Sequence, residues 1–187
     1  MEIVTVPQER VAVLIGVRGE AKKRIERRTG ARLHVDEEGR VEISSKDAFG
    51  EYLARDMVKA VGRGFSPDDA LKLAEDDYYL KIVDLKDELG SDKAVARQKA
   101  RIIGEGGKAR RMLEECSDAK VSVYGGTVAF IGLLDEVELA SVAVEKLLDG
   151  KSHAFVYRLL EHGRRRMKEE RIAHMWGTPA RQPGAEG

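Results

Sequence analysis

The chain has 187 residues, of which 42% are hydrophobic and 35% carry a charge, and its 33 basic and 33 acidic side chains give a formal net charge of zero. This length suits one large domain or two small ones. The single cysteine, Cys116, excludes an intramolecular disulfide and a cysteine metal cluster. The sequence shows neither a signal peptide nor an apolar run long enough to cross a membrane, so we expect a cytoplasmic protein.

A net charge of zero does not exclude a nucleic-acid partner, because the charges are grouped in blocks. Residues 65–96 carry nine acidic and four basic side chains, whereas residues 97–111 carry six basic and one acidic. A basic block attracts phosphate locally, whatever the total charge of the chain.

Residues 1–64 predict a first domain with the element order β-α-α-β-β-α. Pro7 suits the first position of a helix, because its missing N–H needs no partner there. Alternating apolar and polar residues indicate the later strands, and Gly30 ends the second helix. The predicted elements are a strand at 2–6, helices at about 8–15 and 20–29, strands at 31–36 and 40–44, and a helix that buries Phe49, Leu53, Met57 and Ala60.

Residues 65–77 predict a linker with a short helix that begins at Ser66-Pro67, and residues 78–150 repeat the element order of the first domain. The predicted elements are a strand at Tyr79–Leu85, helices at Asp92–Ile103 and from Gly107 to about Cys116, strands at 119–124 and 127–132 joined at Gly125-Gly126, and a helix that buries Val137, Ala140, Val144 and Leu147.

Residues 151–187 predict a C-terminal helix over 152–174 and a disordered end at 177–187. Phe155, Leu159 and Leu160 are expected to pack this helix on the second domain, while the basic run Arg164–Arg166 faces solvent. On this prediction, residues 161–187 contribute to binding and little to the stability of the fold.

An internal repeat supports the division into two domains. The stretch Leu14-Ile-Gly-Val-Arg-Gly19 matches Ile102-Ile-Gly-Glu-Gly-Gly107 at an offset of 88 residues, and Ala31–Val35 matches Ala119–Val123 at the same offset. A unit of roughly 65–70 residues is too long for a solenoid repeat and right for a small domain. We therefore predict an α+β protein with two tandem type I KH domains, each a three-stranded antiparallel sheet backed by helices.

Two helices joined by Gly-x-x-Gly are typical of KH domains, which clamp about four nucleotides of single-stranded RNA with that loop. Glycine lets the backbone approach a phosphate, and the following helix presents free N–H groups and the positive end of its dipole to the anion. Nearby basic side chains add a salt-sensitive attraction. The candidate RNA-binding residues are Gly16, Val17, Arg18, Gly19, Lys22, Lys23 and Arg24 in the first domain, and Gly104, Glu105, Gly106, Gly107, Lys108, Arg110 and Arg111 in the second.

The bases would lie in a groove between these helices and the strand that contains Leu33 or Val121. Apolar candidates for this groove are Ile15, Ile25, Leu33, Ile103, Leu113 and Val121, and for each of them the alternative is core packing. Glu105 places a negative charge in the second phosphate-facing loop. Either the second domain binds more weakly, or Glu105 points to solvent and Lys108 with Arg110 compensates.

Catalytic and metal-binding interpretations fail on spacing. Gly106-Gly107-Lys108 resembles part of a nucleotide-binding loop, but Ile102 stands where that motif needs glycine, and Ala109 where it needs a hydroxyl group. His153, His162 and His174 are spaced by nine and twelve residues, which does not place them on one helix face. Nothing in the sequence combines a nucleophile, a base and an orienting group, so we expect no enzyme, no metal and no cofactor.

Two segments of the second half, Arg101–Arg111 and Val121–Gly132, resemble the archaeal members of the partner-of-NOB (Dim2-like) family, and so does His153–Leu160 with the basic run after it. The resemblance implies a two-KH-domain factor of small-subunit ribosome maturation, which binds near the 3′ end of the ribosomal RNA precursor. It also implies the NOB endonuclease and the alpha subunit of initiation factor two as partners. Two alternatives remain open: another RNA-processing adaptor, of the exosome or transcription-associated type, and a scaffold whose KH folds and C-terminal helix contact mainly protein.

Overall fold

The computed structural model describes residues 1–177, so the predicted disordered end lies outside the described residues except for Gly177. Six strands and nine helices are present in this part of the chain. The strands are β1 (Glu2–Thr5), β2 (Arg32–Val35), β3 (Arg40–Ser44), β4 (Tyr79–Asp84), β5 (Lys120–Tyr124) and β6 (Thr127–Gly132). The helices are α1 (Gln8–Ile15), α2 (Glu20–Thr29), α3 (Ala48–Gly62), α4 (Pro67–Leu71), α5 (Leu85–Leu89), α6 (Asp92–Ile103), α7 (Lys108–Ser117), α8 (Leu134–Leu148) and α9 (His153–Met175).

The first half forms an antiparallel sheet in the order β1-β3-β2, with Val4 and Leu33 opposite Val41 and Ile43 in the two registers. Helices α1, α2 and α3 cover one face of this sheet, and the other face carries exposed polar side chains. The predicted element order and the type I KH architecture are therefore confirmed for this half.

Phe49 does not belong to the core, contrary to the sequence-based prediction. The carboxylate of Asp47 accepts hydrogen bonds from the N–H groups of Phe49 and Gly50 and so begins α3. Gly50 then faces the end of α2, where a Cβ atom would collide with the carbonyl oxygen of Thr29. Phe49, one position earlier, points outward and is 69% exposed.

The second half repeats the architecture with the strand order β4-β6-β5 and with α6, α7 and α8 on one face. It differs by one short helix, α5, which the sequence-based prediction missed. The predicted strand ends one residue early, at Asp84, whose carboxylate accepts the N–H of Lys86 at 2.8 Å and begins α5. Leu85 is consequently a fully buried helical residue.

Strand β6 is buried on both faces and joins the two halves. Val128 and Phe130 point into the core of the second sheet, whereas Ala129 and Ile131 pack into the core of the first half. The linker contributes to that shared core, since Phe65 and Leu73 are about as buried as the strand residues, at 4% and 5% exposure. The linker is therefore a packed layer between the two KH domains.

Helix α9 packs across α7 and α8, as predicted, and of the three predicted contact residues Leu160 is buried and Leu159 packs against the same core. Val156, Leu160 and Met167 are buried against the second domain, whereas Phe155 is 39% exposed. Gly163 permits the close approach of α9 to α8, because a Cβ atom there would collide with Leu139. The run Arg164–Arg166 is exposed, as predicted.

Among residues 1–177, none of the helices combines the length and the apolar composition that crossing a membrane requires.

Candidate nucleic-acid interface

The two Gly-x-x-Gly loops have the same backbone conformation. The first glycine has φ and ψ of 72° and 174° at Gly16 and of 73° and 173° at Gly104. The last glycine has φ of 76° at both Gly19 and Gly107. The sequence repeat is thus a repeat of geometry, and both loops offer the same backbone to a ligand.

The first glycine of each loop is required by close packing. A Cβ atom at Gly16 would lie 2.7 Å from Cβ of Ala21, and one at Gly104 would lie 2.7 Å from Cβ of Ala109. Both glycines also have positive φ, which side chains with a Cβ disfavour. The loop therefore folds tightly against the first turn of the helix that follows it.

The third position of the loop distinguishes the two domains. Arg18 has φ of 54°, and Gly106 has φ of 57°. A non-glycine residue in this left-handed region costs roughly 1–2 kcal/mol, so the first loop retains a cation at the expense of backbone strain. Arg18 is exposed beside Val17, which is 83% exposed, and both side chains project from the loop.

Helices α2 and α7 begin directly after the loops, and within the described chain neither N-terminus receives a hydrogen bond from a capping side chain. The N–H groups of Glu20 and Lys108 donate to the carbonyl oxygens of Val17 and Glu105 within the loops. The N–H groups that follow in each first turn are not capped by a side chain and can donate to an external acceptor. Together with the helix dipole, such N–H groups form an anion site. A phosphate group of a nucleic acid is the ligand that this arrangement fits.

Lys23 and Arg111 are the basic side chains that lie against the loops. Cε of Lys23 is 4.0 Å from the position a Cβ atom would take at Gly19, and Nη1 of Arg111 is 4.0 Å from the equivalent position at Gly107. Both side chains belong to exposed residues. They add positive charge beside each N–H cluster.

Lys22 and Arg110 occupy equivalent positions and have a structural role as well. Lys22 Nζ lies 3.9 Å from Glu26, and Arg110 Nη1 lies 3.9 Å from Glu114 and donates to the carbonyl of Val121 at 3.3 Å. The same glutamates accept the N–H groups of Leu33 and Val121, at 2.9 and 3.0 Å, which fixes the adjoining strand to the helix. These two cations therefore brace the strand beside the loop.

Arg24, a predicted RNA-binding residue, contacts the linker. Its guanidinium group forms a 2.7 Å ion pair with Asp68 at the start of α4. Because α4 lies along α2 and α3, this pair fastens the linker to the first domain.

Four of the six predicted groove residues are buried in the core, which is the stated alternative of core packing. Ile25, Leu33, Leu113 and Val121 are 0%, 3%, 1% and 2% exposed. They pack between helix and sheet, because an apolar stripe at this spacing faces the sheet before it can face a ligand. Ile15 and Ile103, the last residues of α1 and α6, keep part of their surface accessible and remain candidates for base contact.

Glu105 and Lys108 are both exposed, and they are not paired with each other. Lys108 opens α7 at the position that Glu20 occupies in α2, where Glu20 instead forms a 2.7 Å ion pair with Arg27. The charges around the two loops are therefore distributed differently, although the backbones are the same.

His153 and Cys116 have structural roles, and no metal site is formed by the described residues. Among residues 1–177, no group of three or more His, Cys, Asp and Glu side chains is placed to hold a metal ion. Nε2 of His153 lies 2.8 Å from the carbonyl oxygen of Arg101. Burial raises the pKa of the Cys116 thiol, so this residue is a core side chain in its thiol form.

Two sequence profiles match the chain: a KH-domain profile matches residues 1–60, and a profile of the eukaryotic type (type I) KH domain matches residues 79–165. A KH domain-containing protein of Methanocaldococcus jannaschii is 45% identical, over 94% of this chain and 79% of that protein. The pre-rRNA-processing protein Pno1 of Aspergillus fumigatus is 32% identical over 61% of this chain, and the match spans 46% of its length.

Solved structures of Dim2p from Pyrococcus horikoshii share the fold. The protein by itself is 45% identical with a TM-score of 0.80, and the match covers 86% of this chain and 98% of that one. A structure from a complex of a/eIF2alpha, Dim2p and rRNA is 44% identical with a TM-score of 0.81, covering 88% and 93%. The ranges matched by the two profiles include both Gly-x-x-Gly loops, and this chain therefore belongs to the Dim2/Pno1 family of two-KH-domain proteins, the partner-of-NOB family.

Proposed function

We propose that this protein binds single-stranded RNA with its two Gly-x-x-Gly loops and acts as an assembly factor near the 3′ end of small-subunit ribosomal RNA during its maturation. The observation that supports RNA binding most directly is the repeated loop geometry. Each loop precedes an uncapped helix N-terminus and has a cation, Lys23 or Arg111, beside it. Two such anion sites in one chain fit a polyanion better than a single small ligand.

The identity of the RNA rests on the relatives. The Pyrococcus horikoshii relative is described in a complex with a/eIF2alpha and rRNA, and the Aspergillus relative is named a pre-rRNA-processing protein. We accordingly propose ribosomal RNA as the ligand and the alpha subunit of initiation factor two as a partner. The NOB endonuclease is a further proposed partner, which rests on the family resemblance.

The role is that of a binding protein. The loops present backbone N–H groups and cations, which suit the binding of a phosphate group. Binding of this kind should weaken as salt is added, with a slope near −0.7 in the logarithm of affinity per neutralised phosphate of a single strand.

A protein-docking scaffold is the second candidate. A depression of about 370 Å³ between α8 and α9 is lined by the apolar side chains of Leu139, Val142 and Leu159 and by several charged ones. This surface lies on α9, beside the exposed run Arg164–Arg166, and is separate from both loops. A scaffold would use this surface and would keep its partners after the RNA is digested.

Aspartate substitutions in the loops test the proposal. We expect Val17→Asp/Arg18→Asp and Gly106→Asp each to weaken binding of single-stranded RNA and to make the salt dependence shallower. In each variant a carboxylate would stand where a phosphate should approach the backbone, and the two negative charges would repel each other. Lys46→Asp, in an exposed connection outside the loops, is the control for charge. Filter binding at several salt concentrations, with circular dichroism for folding, gives the answer. Full affinity in both folded loop variants would refute the proposal and favour the scaffold.

A further inference from the structure

We propose that the exposed face of α2 binds the sugar–phosphate backbone of the RNA immediately outside the nucleotides held by the first Gly-x-x-Gly loop. This basic α2 face consists of Lys23, Arg27 and Arg28 on α2 and Arg32 at the start of β2. The inference rests on the proposed RNA binding of the first loop and extends it to a second surface. The sequence-based prediction of the site included Lys23 but none of the three arginines of this surface.

The basic α2 face is continuous with the loop. Lys23 lies against Gly19, and Arg27 follows it one helical turn later on the same side of α2. Arg27 lines two adjoining shallow depressions. One is also lined by Lys23 and Arg32 and by the carboxylates of Glu20 and Glu26, and the other by Arg28 and by Leu71 of the linker. A strand leaving the loop along α2 would meet these cations in turn.

The positive charge of this face is largely uncompensated. Glu26 is occupied by Lys22 and by the N–H of Leu33, and Asp68 is occupied by Arg24. Within residues 1–177, Glu20 is the one carboxylate that forms an ion pair with this face, through Arg27 at 2.7 Å. Lys23 and Arg32 form no ion pair with any of residues 1–177.

Comparison with the second domain shows that the fold does not need these arginines. At the offset of 88 residues, the core position Ile25 corresponds to Leu113, and the hydroxyl of Thr29, which donates to the carbonyl of Ile25 at 2.9 Å, corresponds to that of Ser117. The equivalents of Arg27 and Arg28, in contrast, are Glu115 and Cys116.

The two domains also differ in what covers this side of the helix. Cys116 is 3% exposed in the second domain, where α9 packs against α7. The short helix α4 lies along α2 in the first domain and leaves Arg27 and Arg28 exposed. The first domain therefore has an open cationic surface where the second has a packing interface.

The composition of the face indicates phosphate as the ligand. Helix α2 contains no aromatic side chain, so this helix lacks the aromatic platforms on which successive bases stack in single-strand-binding proteins. Arginine and lysine on a convex helix contact phosphates and sugars without reading the sequence. An unpaired extension of the RNA and an adjoining base-paired stem both present this backbone chemistry, and a suitable experiment separates them.

The test compares three RNAs in filter-binding titrations at several salt concentrations: a short single strand that fills the loops, the same strand with an unpaired extension, and the same strand with a hairpin stem. The variant is Arg27→Gln/Arg32→Gln, because neither side chain holds the linker, whereas Arg28 donates to the carbonyl of Ala74. Arg40→Gln/Lys46→Gln removes the same charge from exposed positions elsewhere in the first domain and serves as the matched control.

We expect the Arg27→Gln/Arg32→Gln variant to lose affinity for an extended RNA by roughly three- to thirtyfold, as the loss of two exposed ion pairs would give. The salt slope should become shallower by about 1.4, and the short RNA should bind as it does to wild type. The extension for which the variant loses affinity, the stem or the unpaired strand, identifies the part of the RNA that contacts the basic α2 face.

Equal affinities of variant and control for all three RNAs would overturn the inference while leaving the loops as the RNA site. Failure of the wild-type protein to bind even the short RNA would instead refute the proposed function. A loss of affinity for the short RNA as well would mean that Arg27 or Arg32 contacts the nucleotides held by the loop. This result would also overturn the inference, which requires a separate surface.

Discussion

The hydroxyl group of Tyr124, at the end of β5, donates a hydrogen bond to the carboxylate of Glu9 in the first turn of α1. The adjacent Arg10 lies 5.7 Å from the centre of the Tyr124 ring and donates to the carbonyl of Val61 at 2.9 Å and to that of Phe65. Together these contacts link the second sheet, the first helix and the start of the linker.

This link should make the interface between the domains sensitive to pH. The hydrogen bond lowers the pKa of Glu9 and raises that of Tyr124. Because the pKa of Glu9 is lowered, its hydrogen bond stabilises the fold at pH values above the ordinary glutamate pKa of about 4.3, and this stability is lost as the pH falls through the pKa of the folded state. Because the pKa of Tyr124 is raised, the bond stabilises the fold at pH values below the ordinary tyrosine pKa of about 10, and this stability is lost as the pH rises through the pKa of the folded state. We therefore expect Tyr124→Phe to lower the melting temperature by a constant amount between about pH 5 and 9. Calorimetry should show this difference shrinking in stronger acid, and an undiminished difference at low pH would contradict the assignment.

The glycines at the first and third positions of the second loop should respond differently to alanine. A Cβ atom at Gly104 would meet Ala109, whereas one at Gly106 would enter open space. We expect Gly106→Ala to lower the free energy of unfolding only by the cost of the left-handed backbone, roughly 1–2 kcal/mol. Gly104→Ala should cost about 2–4 kcal/mol and should also weaken RNA binding, because the loop must move away from α7. Urea denaturation and filter binding measure both, and equal costs would show that the loop adapts freely.

Reversing the charge of Glu105 should strengthen the second clamp. In Glu105→Arg the loop would carry a cation next to phosphate, so RNA affinity should rise and the salt slope should steepen by about 0.7 for one added phosphate contact. Glu88→Arg, an exposed residue of α5, provides the same change of charge away from the loop. If both variants bind equally tightly, the effect is one of overall charge and Glu105 has no local influence.

The end of α9 should contribute more to stability than the sequence suggests. Arg171 donates to Glu136 at 2.8 Å, and the Glu136 carboxylate is 6% exposed. Met167, one turn earlier, is 4% exposed. We expect Arg171→Gln to lower the free energy of unfolding by about 1–3 kcal/mol, because it leaves a buried acceptor without its charged partner. Arg165→Gln, at an exposed position, should have little effect in the same denaturation experiment.

A truncation at residue 161 would therefore confound folding with binding, contrary to the prediction from sequence. The triple substitution Arg164→Gln/Arg165→Gln/Arg166→Gln tests the same basic run without removing Met167 or Arg171. A triple variant with wild-type stability and wild-type affinity for RNA and protein partners would show that the run only solubilises the helix.

The element order was accessible from sequence because each half shows the same glycine spacing and the same alternation of apolar residues. The division between groove and core was not accessible from sequence. Ile25 and Leu113 each belong to the apolar stripe of their own helix, and periodicity does not distinguish the side facing a sheet from the side facing a ligand. Helix α5 is too short to show a helical period. Strand β6 did contain a usable signal: Val128 to Ile131 is uninterrupted apolar sequence, which is typical of a strand covered on both faces.

Burial of β6 on both faces makes the two KH domains one thermodynamic unit. Ala129 and Ile131 are fully enclosed only when the first domain and the linker are folded against them. An isolated second half would present these residues on an open apolar sheet surface and should self-associate when it is produced alone. In the intact chain, the backbone amides of β6 should exchange with solvent only through global unfolding. The two Gly-x-x-Gly loops therefore fold together and lie at a fixed distance from each other.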